Sequence, residues 1–164
     1  MKNILTLVTV LLFNCNLFSQ TNLDFLLFEK INEYRNSNGL ESWVWDQNVW
    51  KASYGHNQYL MELGRSTHYE EGSDSTYTGG DRLLLQGVSW WVTIENCAVT
   101  DRYNNETDEE QSEKILLQWI NSPPHHETLL SSRTKYGAVS TTHTAKYKWS
   151  IGAWWTYSTL NVYR

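Results

Sequence analysis

The sequence predicts an α+β layered domain. Apolar side chains recur at helical spacing in three stretches before residue 122, and from Lys135 to Ser158 the chain alternates and is rich in Val, Thr, Trp and Tyr. No internal repeat, low-complexity run or Pro/Gly linker separates these parts, so one domain is expected over residues 23–160. Helices at the front and paired strands at the end make a layered packing the natural solution.

The first helix is expected over 23–36, with Leu27, Phe28, Ile31 and Tyr34 on one stripe and Gly39 as its stop. Asp46 reads as the N-cap of a second helix over 47–63. Val49, Ala52, His56, Leu60 and Leu63 share one face of it. From Ser66 to Gly80 the chain is polar and turn-rich, the kind of long loop that borders a site. A capping box, Thr107-Asp108-Glu109-Glu110, opens a third helix over 108–121 that buries Ile115, Leu116 and Trp119. Ser122-Pro123-Pro124 ends it, with Ser122 placed to cap a short further helix carrying His125. The alternating tail reads as a β-hairpin over 135–158, turning between Thr142 and Lys146.

The first twenty residues have a different character. Lys2 supplies a positive charge, Ile4 to Phe13 is apolar apart from Thr6 and Thr9, and a polar exit follows. This is the pattern of a secretory signal peptide over 1–20, and the apolar run is too short to span a bilayer as a helix. The expected location is therefore secreted, extracellular or periplasmic. Cys15 raises the question of lipid attachment, but Phe13-Asn14 before it are not the small residues such a site prefers. Without the leader, Cys97 stands alone and cannot form an internal disulfide, so packing alone must stabilise the fold.

Loss of Lys2 with that segment leaves 12 basic side chains against 18 acidic ones. No basic cluster is present, which opposes a general nucleic-acid role. All nine tryptophans follow the leader. In the pairs Trp90-Trp91 and Trp154-Trp155, neighbouring side chains on a strand would point to opposite faces, so one of each is expected to meet solvent or a second layer. Core packing is the expected use of these rings and of Trp149, with a sugar- or lipid-stacking platform as the alternative.

Several short motifs then fall in a recognisable order. They are Asn32-x-x-Arg35, Gly39-Leu40, Trp45-Asp46, Ala52-x-x-His56 with Met61 and His68, Asp81-Arg82-Leu83 with Gly87, Glu95-Asn96, Trp119-x-x-Ser122-Pro123-x-His125, and Tyr136-Gly137. Together they resemble bacterial CAP (SCP-like) domains over nearly the whole chain after the leader. The resemblance implies a three-layer α-β-α sandwich with an antiparallel sheet. It also implies a central cleft in which two histidines and two glutamates can bind a divalent metal. Position by position, the histidines map to His68 and His125 and one glutamate to Glu95. The second glutamate falls near Ser122, which cannot replace a carboxylate. Ile94, His126 and Ser150-Ile151 also depart from the family pattern.

The expected pocket is thus His56, His68, Glu95, Ser122 and His125, with His68, His125 and Glu95 as metal ligands. Two neutral imidazoles and one carboxylate form a plausible shell for Zn²⁺ or another divalent cation with an open position. His56, on the apolar face of its helix, is expected to brace the pocket by a hydrogen bond rather than to ligate. His143 is expected in the hairpin turn, solvated. His126-Glu127 does not start a zincin motif, because Leu130 occupies the place of its second histidine. Cys97, in an apolar stretch, reads as an inert small hydrophobe rather than a nucleophile.

The favoured function is a secreted binding or interaction module whose pocket holds a small molecule, a lipid or an extracellular partner. The alternatives are a hydrolase using metal-bound water with Glu95 as general base, and a carbohydrate-binding surface protein. The missing second carboxylate and the lack of an obvious nucleophile weigh against the enzyme.

Overall fold

The computed structural model of the protein describes residues 19–144 and 153–164. Residues 1–18 of the expected leader, Cys15 among them, lie outside the described residues, as do Trp149, Ser150-Ile151 and residues 145–146 of the expected turn. Among the described residues no helix is long and apolar enough to cross a membrane.

Helix α1 spans Asn22–Ser37. Thr21 and Asp24 form a reciprocal capping box at its start, and Gly39 leaves its end at φ 75°. Arg35, in its last turn, is buried. Its guanidinium donates to the carbonyls of Glu41, Leu129 and Ser131 and lies over the Trp43 ring, clamping the end of α1 to two loops. The two-residue strand β1, Val44–Trp45, leads to Asp46, whose carboxylate accepts from the amides of Asn48 and Val49 and caps α2, Gln47–Leu63. Val49, Ala52, His56 and Leu60 are buried as expected, but Leu63 is 39% exposed, because the last turn of α2 emerges beside the exposed residues Gly64 to Ser66.

A seven-residue helix not anticipated from the sequence, α3 (Gly79–Leu85), closes the long loop, capped by Thr78 and Asp81. Strand β2 (Thr93–Tyr103) follows, and Trp90-Trp91 lie before it rather than on it. Helices α4 (Asp108–Ile120) and α5 (Pro123–Leu129) come next, then β3 (Tyr136–His143) and β4 (Ala153–Tyr163). The terminal strand pair is present, but β3 keeps its pairing as far as His143 and β4 runs to Tyr163. His143 is therefore a strand residue opposite Thr156, bonded to Arg102 and to the Thr156 hydroxyl, not a turn residue.

The sheet order is β1-β3-β4-β2. The long strands are antiparallel, and β1 adds to β3 in parallel. Because side chains alternate, β4 offers one set of residues to each layer. Leu160 and Val162 join Leu27, Ile31, Ile115 and Trp119 of α1 and α4 in the main apolar core. Asn161 and Thr159 turn to the opposite layer and bond Ser53 and Asn57 of α2. The expected three-layer α-β-α sandwich is what forms, with α2 and α3 on one side and α1, α4 and α5 on the other.

Candidate functional site

The register of β2 on β4 sets Glu95 opposite Asn161 and Cys97 opposite Thr159, both on the α2 face. The Glu95 carboxylate is buried, so its charge must be compensated. Arg82, on α3 and itself buried, donates from Nη2 to Glu95 Oε2 at 2.6 Å. His68 donates from Nδ1 to Oε1 at 3.0 Å, and His56 Nε2 stands 4.0 Å from the same oxygen. Burial alone would raise the Glu95 carboxyl. The hydrogen bond from His68 and the charges of Arg82 and His56 outweigh it and hold the group down at about 2.

A second carboxylate completes this network. His56 is fully buried, its Nδ1 on Glu70 Oε1 at 2.7 Å and its Nε2 on the Thr67 carbonyl at 2.8 Å. Burial opposes the charge of Glu70, but hydrogen bonds from His56 and Thr76 and the nearby Arg82 keep its carboxyl below the usual range. Arg82 also donates to the carbonyls of Thr76 and His68, so one guanidinium ties the loop after α2 to β2. The glycines at the start of α3 permit this closeness. A Cβ on Gly79 would sit 3.1 Å from Glu95 Oε2, and one on Gly80 would sit 2.4 Å from Trp90 Cζ2.

The side chain of His68 is half exposed and separates two hollows. The larger, about 640 Å³, is lined by His68, Cys97, Val99, His125, Trp155 and Tyr157. The smaller, about 360 Å³, runs from Glu95 past Tyr69 to Trp90. His125 is placed from the opposite layer: Asn96 Nδ2 holds its carbonyl at 2.9 Å, and its Nδ1 meets Ser122 Oγ at 2.8 Å. Burial, with the nearby His68, lowers the pKa of His125. Ser122 occupies the N-cap position of α5, yet its hydroxyl serves the imidazole instead of the helix amides.

Of the expected metal ligands, His68 and Glu95 touch, and His125 shares the larger hollow with His68. In each of these two rings Nδ1 is engaged, by Glu95 or by Ser122, an arrangement that orients imidazoles toward a cation or ligand. Among the described residues the group whose ligand atoms could hold a metal ion is a different one, His56, Glu95 and Cys97, all within 4.8 Å of one another, and Arg82 already occupies one Glu95 oxygen. Cys97 lies at the floor of the same hollow. Burial pushes its thiol well up, and the Glu95 charge adds to this, which rules it out as a ready nucleophile. His126 is spent on the Tyr34 hydroxyl at 2.7 Å. Of the pair Trp90-Trp91, one of which is expected to meet solvent or a second layer, Trp91 is 74% exposed, and Trp90 is partly exposed with its Nε1 on the Gly80 carbonyl.

Glu70 and Arg82 complete the site without being marked as site residues by the sequence. Glu70 is one acid among several in a polar loop, with nothing local to single it out. Arg82 belongs to the Asp81-Arg82-Leu83 motif, whose position just after Gly79-Gly80 is its local signal.

Comparison with known proteins agrees with this architecture. The profile of the cysteine-rich secretory protein family, CAP, matches residues 28–157. An extracellular protein containing an SCP domain from Bacillus anthracis superposes with a TM-score of 0.64 at 22% identity, over 87% of this chain and 40% of that one. An outer surface protein from Borrelia burgdorferi gives 0.63 at 20% identity, over 89% and 97%. A cysteine-rich secretory protein from Staphylococcus aureus gives 0.55 at 18%, over 90% and 40%. The chain thus spans about two fifths of the Bacillus and Staphylococcus proteins and nearly all of the Borrelia protein. No curated protein sequence matches it. With the family profile covering most of its length, the chain belongs to the cysteine-rich secretory protein (CAP) family.

Proposed function

We propose that this protein is an exported binding module and that the hollow between His68 and His125 is its ligand site. The carrying observation is the pair of imidazoles, each fixed at Nδ1 by its own partner, on one cavity of about 640 Å³ whose other walls include Val99, Trp155 and Tyr157. Polar groups few in number and set against apolar walls suit a small molecule or a lipid-like chain with a polar head. The leader-like first twenty residues, and the extracellular and outer-surface descriptions of two structural neighbours, support a location outside the cytoplasm. A divalent cation such as Zn²⁺ would be held by His68 and Glu95 and would bind their segments to one another, with His125 facing it across the hollow.

The hydrolase reading is weaker. A general base works best with a pKa near the operating pH, and Glu95 is held at about 2. Titration calorimetry with Zn²⁺ at pH 7.5 and 5.5 tests the site, because protons compete for the same nitrogens. Binding should weaken sharply at the lower pH and be lost in His68→Ala. Wild-type affinity in that variant would end the metal reading. Identification of small molecules that co-purify with the protein tests the cavity independently of metal.

A further inference from the structure

Cys97 has no role in the reading above, yet it adjoins the residues on which that reading rests. Glu95 and Cys97 are two apart on β2, so both side chains project toward α2. Cys97 Sγ lies 3.7 Å from His68 Nδ1, and the ligand atoms of His56, Glu95 and Cys97 all lie within 4.8 Å of one another. A tetrahedral Zn²⁺ site, with bonds of about 2.0–2.3 Å, sets neighbouring donors about 3.3–3.7 Å apart. The sulfur–imidazole distance already has that value. The Glu95 Oε1 distances, 3.0 Å to His68 and 4.0 Å to His56, bracket it.

The character of the donors also selects among cations. Mg²⁺ and Ca²⁺ require six or more oxygen ligands, whereas Arg82 occupies Glu95 Oε2 and leaves one carboxylate oxygen facing sulfur and imidazole nitrogen.

We propose that the cation taken by this pocket is a thiophilic one, Zn²⁺ or Co²⁺, bound through Cys97 Sγ and Glu95 Oε1 between the imidazoles of His56 and His68. This rests on the pocket being a divalent-cation site. On binding, the thiol proton and the proton that His56 Nε2 presents to the Thr67 carbonyl leave to solvent, and His68 moves its proton from Nδ1 to Nε2, so that each ligating nitrogen presents its lone pair. His56 Nε2 gives up the Thr67 carbonyl, which turns toward water beside the exposed residues Gly64 to Ser66. Four protein donors leave no open position for water, so the ion fastens β2 to α2 and to the segment after α2 rather than driving hydrolysis.

The test is Co²⁺ loading of the purified, reduced protein at pH 7.5, read by absorption. The expected spectrum has a near-ultraviolet sulfur-to-cobalt charge-transfer band and the intense visible bands of a tetrahedral ion. Cys97→Ser, checked for folding by circular dichroism, should lose the charge-transfer band and bind at least about tenfold more weakly. Co²⁺ bound by the wild type without a sulfur band would overturn the proposal whether or not the variant folds, and so would unchanged affinity in Cys97→Ser. If Zn²⁺ binds, is lost in His68→Ala, and no sulfur band forms with Co²⁺, the pocket stands and the thiolate site falls. A wild type that binds neither ion removes both.

Discussion

The two faces of the sheet are built on opposite principles. Toward α1 and α4, β4 presents Leu160 and Val162 into a cluster that includes Ile31, Ile115 and Trp119, and the layer is held by apolar burial. Toward α2, beside a smaller apolar cluster around Trp50 and Leu83, the same strands present Glu95, Thr159 and Asn161. That layer is held by side-chain hydrogen bonds: Asn57 to the Ser140 carbonyl, Thr159 to Asn57, Asn161 to Ser53, and the Glu70–His56–Glu95–Arg82 network. The apolar face tolerates modest shape changes, because its attractions are non-directional. The polar face does not, because a buried donor that loses its partner incurs a full desolvation cost. The largest apolar cluster lies on one side of the sheet and the candidate chemistry on the other.

The difference can be probed face by face. Trp119→Ala, in the apolar core, should lower stability by about 3–5 kcal/mol while leaving Zn²⁺ affinity within twofold of wild type after refolding at low temperature. An unchanged melting temperature would remove Trp119 from the core. Arg82→Met should cost a comparable or slightly smaller amount, about 3 kcal/mol, by leaving two buried carboxylates without their guanidinium. Unlike Trp119→Ala, it should also change metal affinity, and a variant as stable as wild type would show that the polar face is not held by this ion pair.

The smallest effect concerns acid. Glu95 is depressed from an ordinary 4.5 to about 2 in the folded protein. A depressed carboxyl contributes stability above its unfolded pKa and loses it as pH falls toward the folded value. The affected window is therefore about pH 4.5 down to 2, with about 3 kcal/mol at stake as an upper figure. Denaturant melts across that window should show a steeper acid loss in wild type than in Glu95→Gln. Parallel curves would mean that Glu95 carries little of the linkage.

Much of the apolar face was legible in the sequence. Leu27, Phe28, Ile31, Ile115, Leu116 and Trp119 recur at helical spacing, and all are buried. The polar face escaped the same method because periodicity counts apolar residues. Ser53 and Asn57 look like solvent positions on α2, yet both are fully buried. Helix α3 was missed because Gly79-Gly80 is a poor helix start, although Thr78 and Asp81 had the spacing of a capping box. His68 and Glu95 were found through motif order, and their contact depends on tertiary structure. Glu70 could not be found at all: it is fourteen residues from His56, and only the return of the loop onto α2 brings them together.

The place of β4 has a consequence for timing. It is the last of the described strands along the chain, yet in the sheet it lies between β3 and β2, and among the described residues β2 has no other strand to pair with. As the polypeptide emerges from a ribosome or a translocation channel, β2 and β3 wait with open edges until residues 153–163 arrive. Asn57 and Ser53 likewise wait for Thr159 and Asn161. The layers therefore cannot lock sequentially as synthesis proceeds, and closure of the sheet waits for residues 153–163.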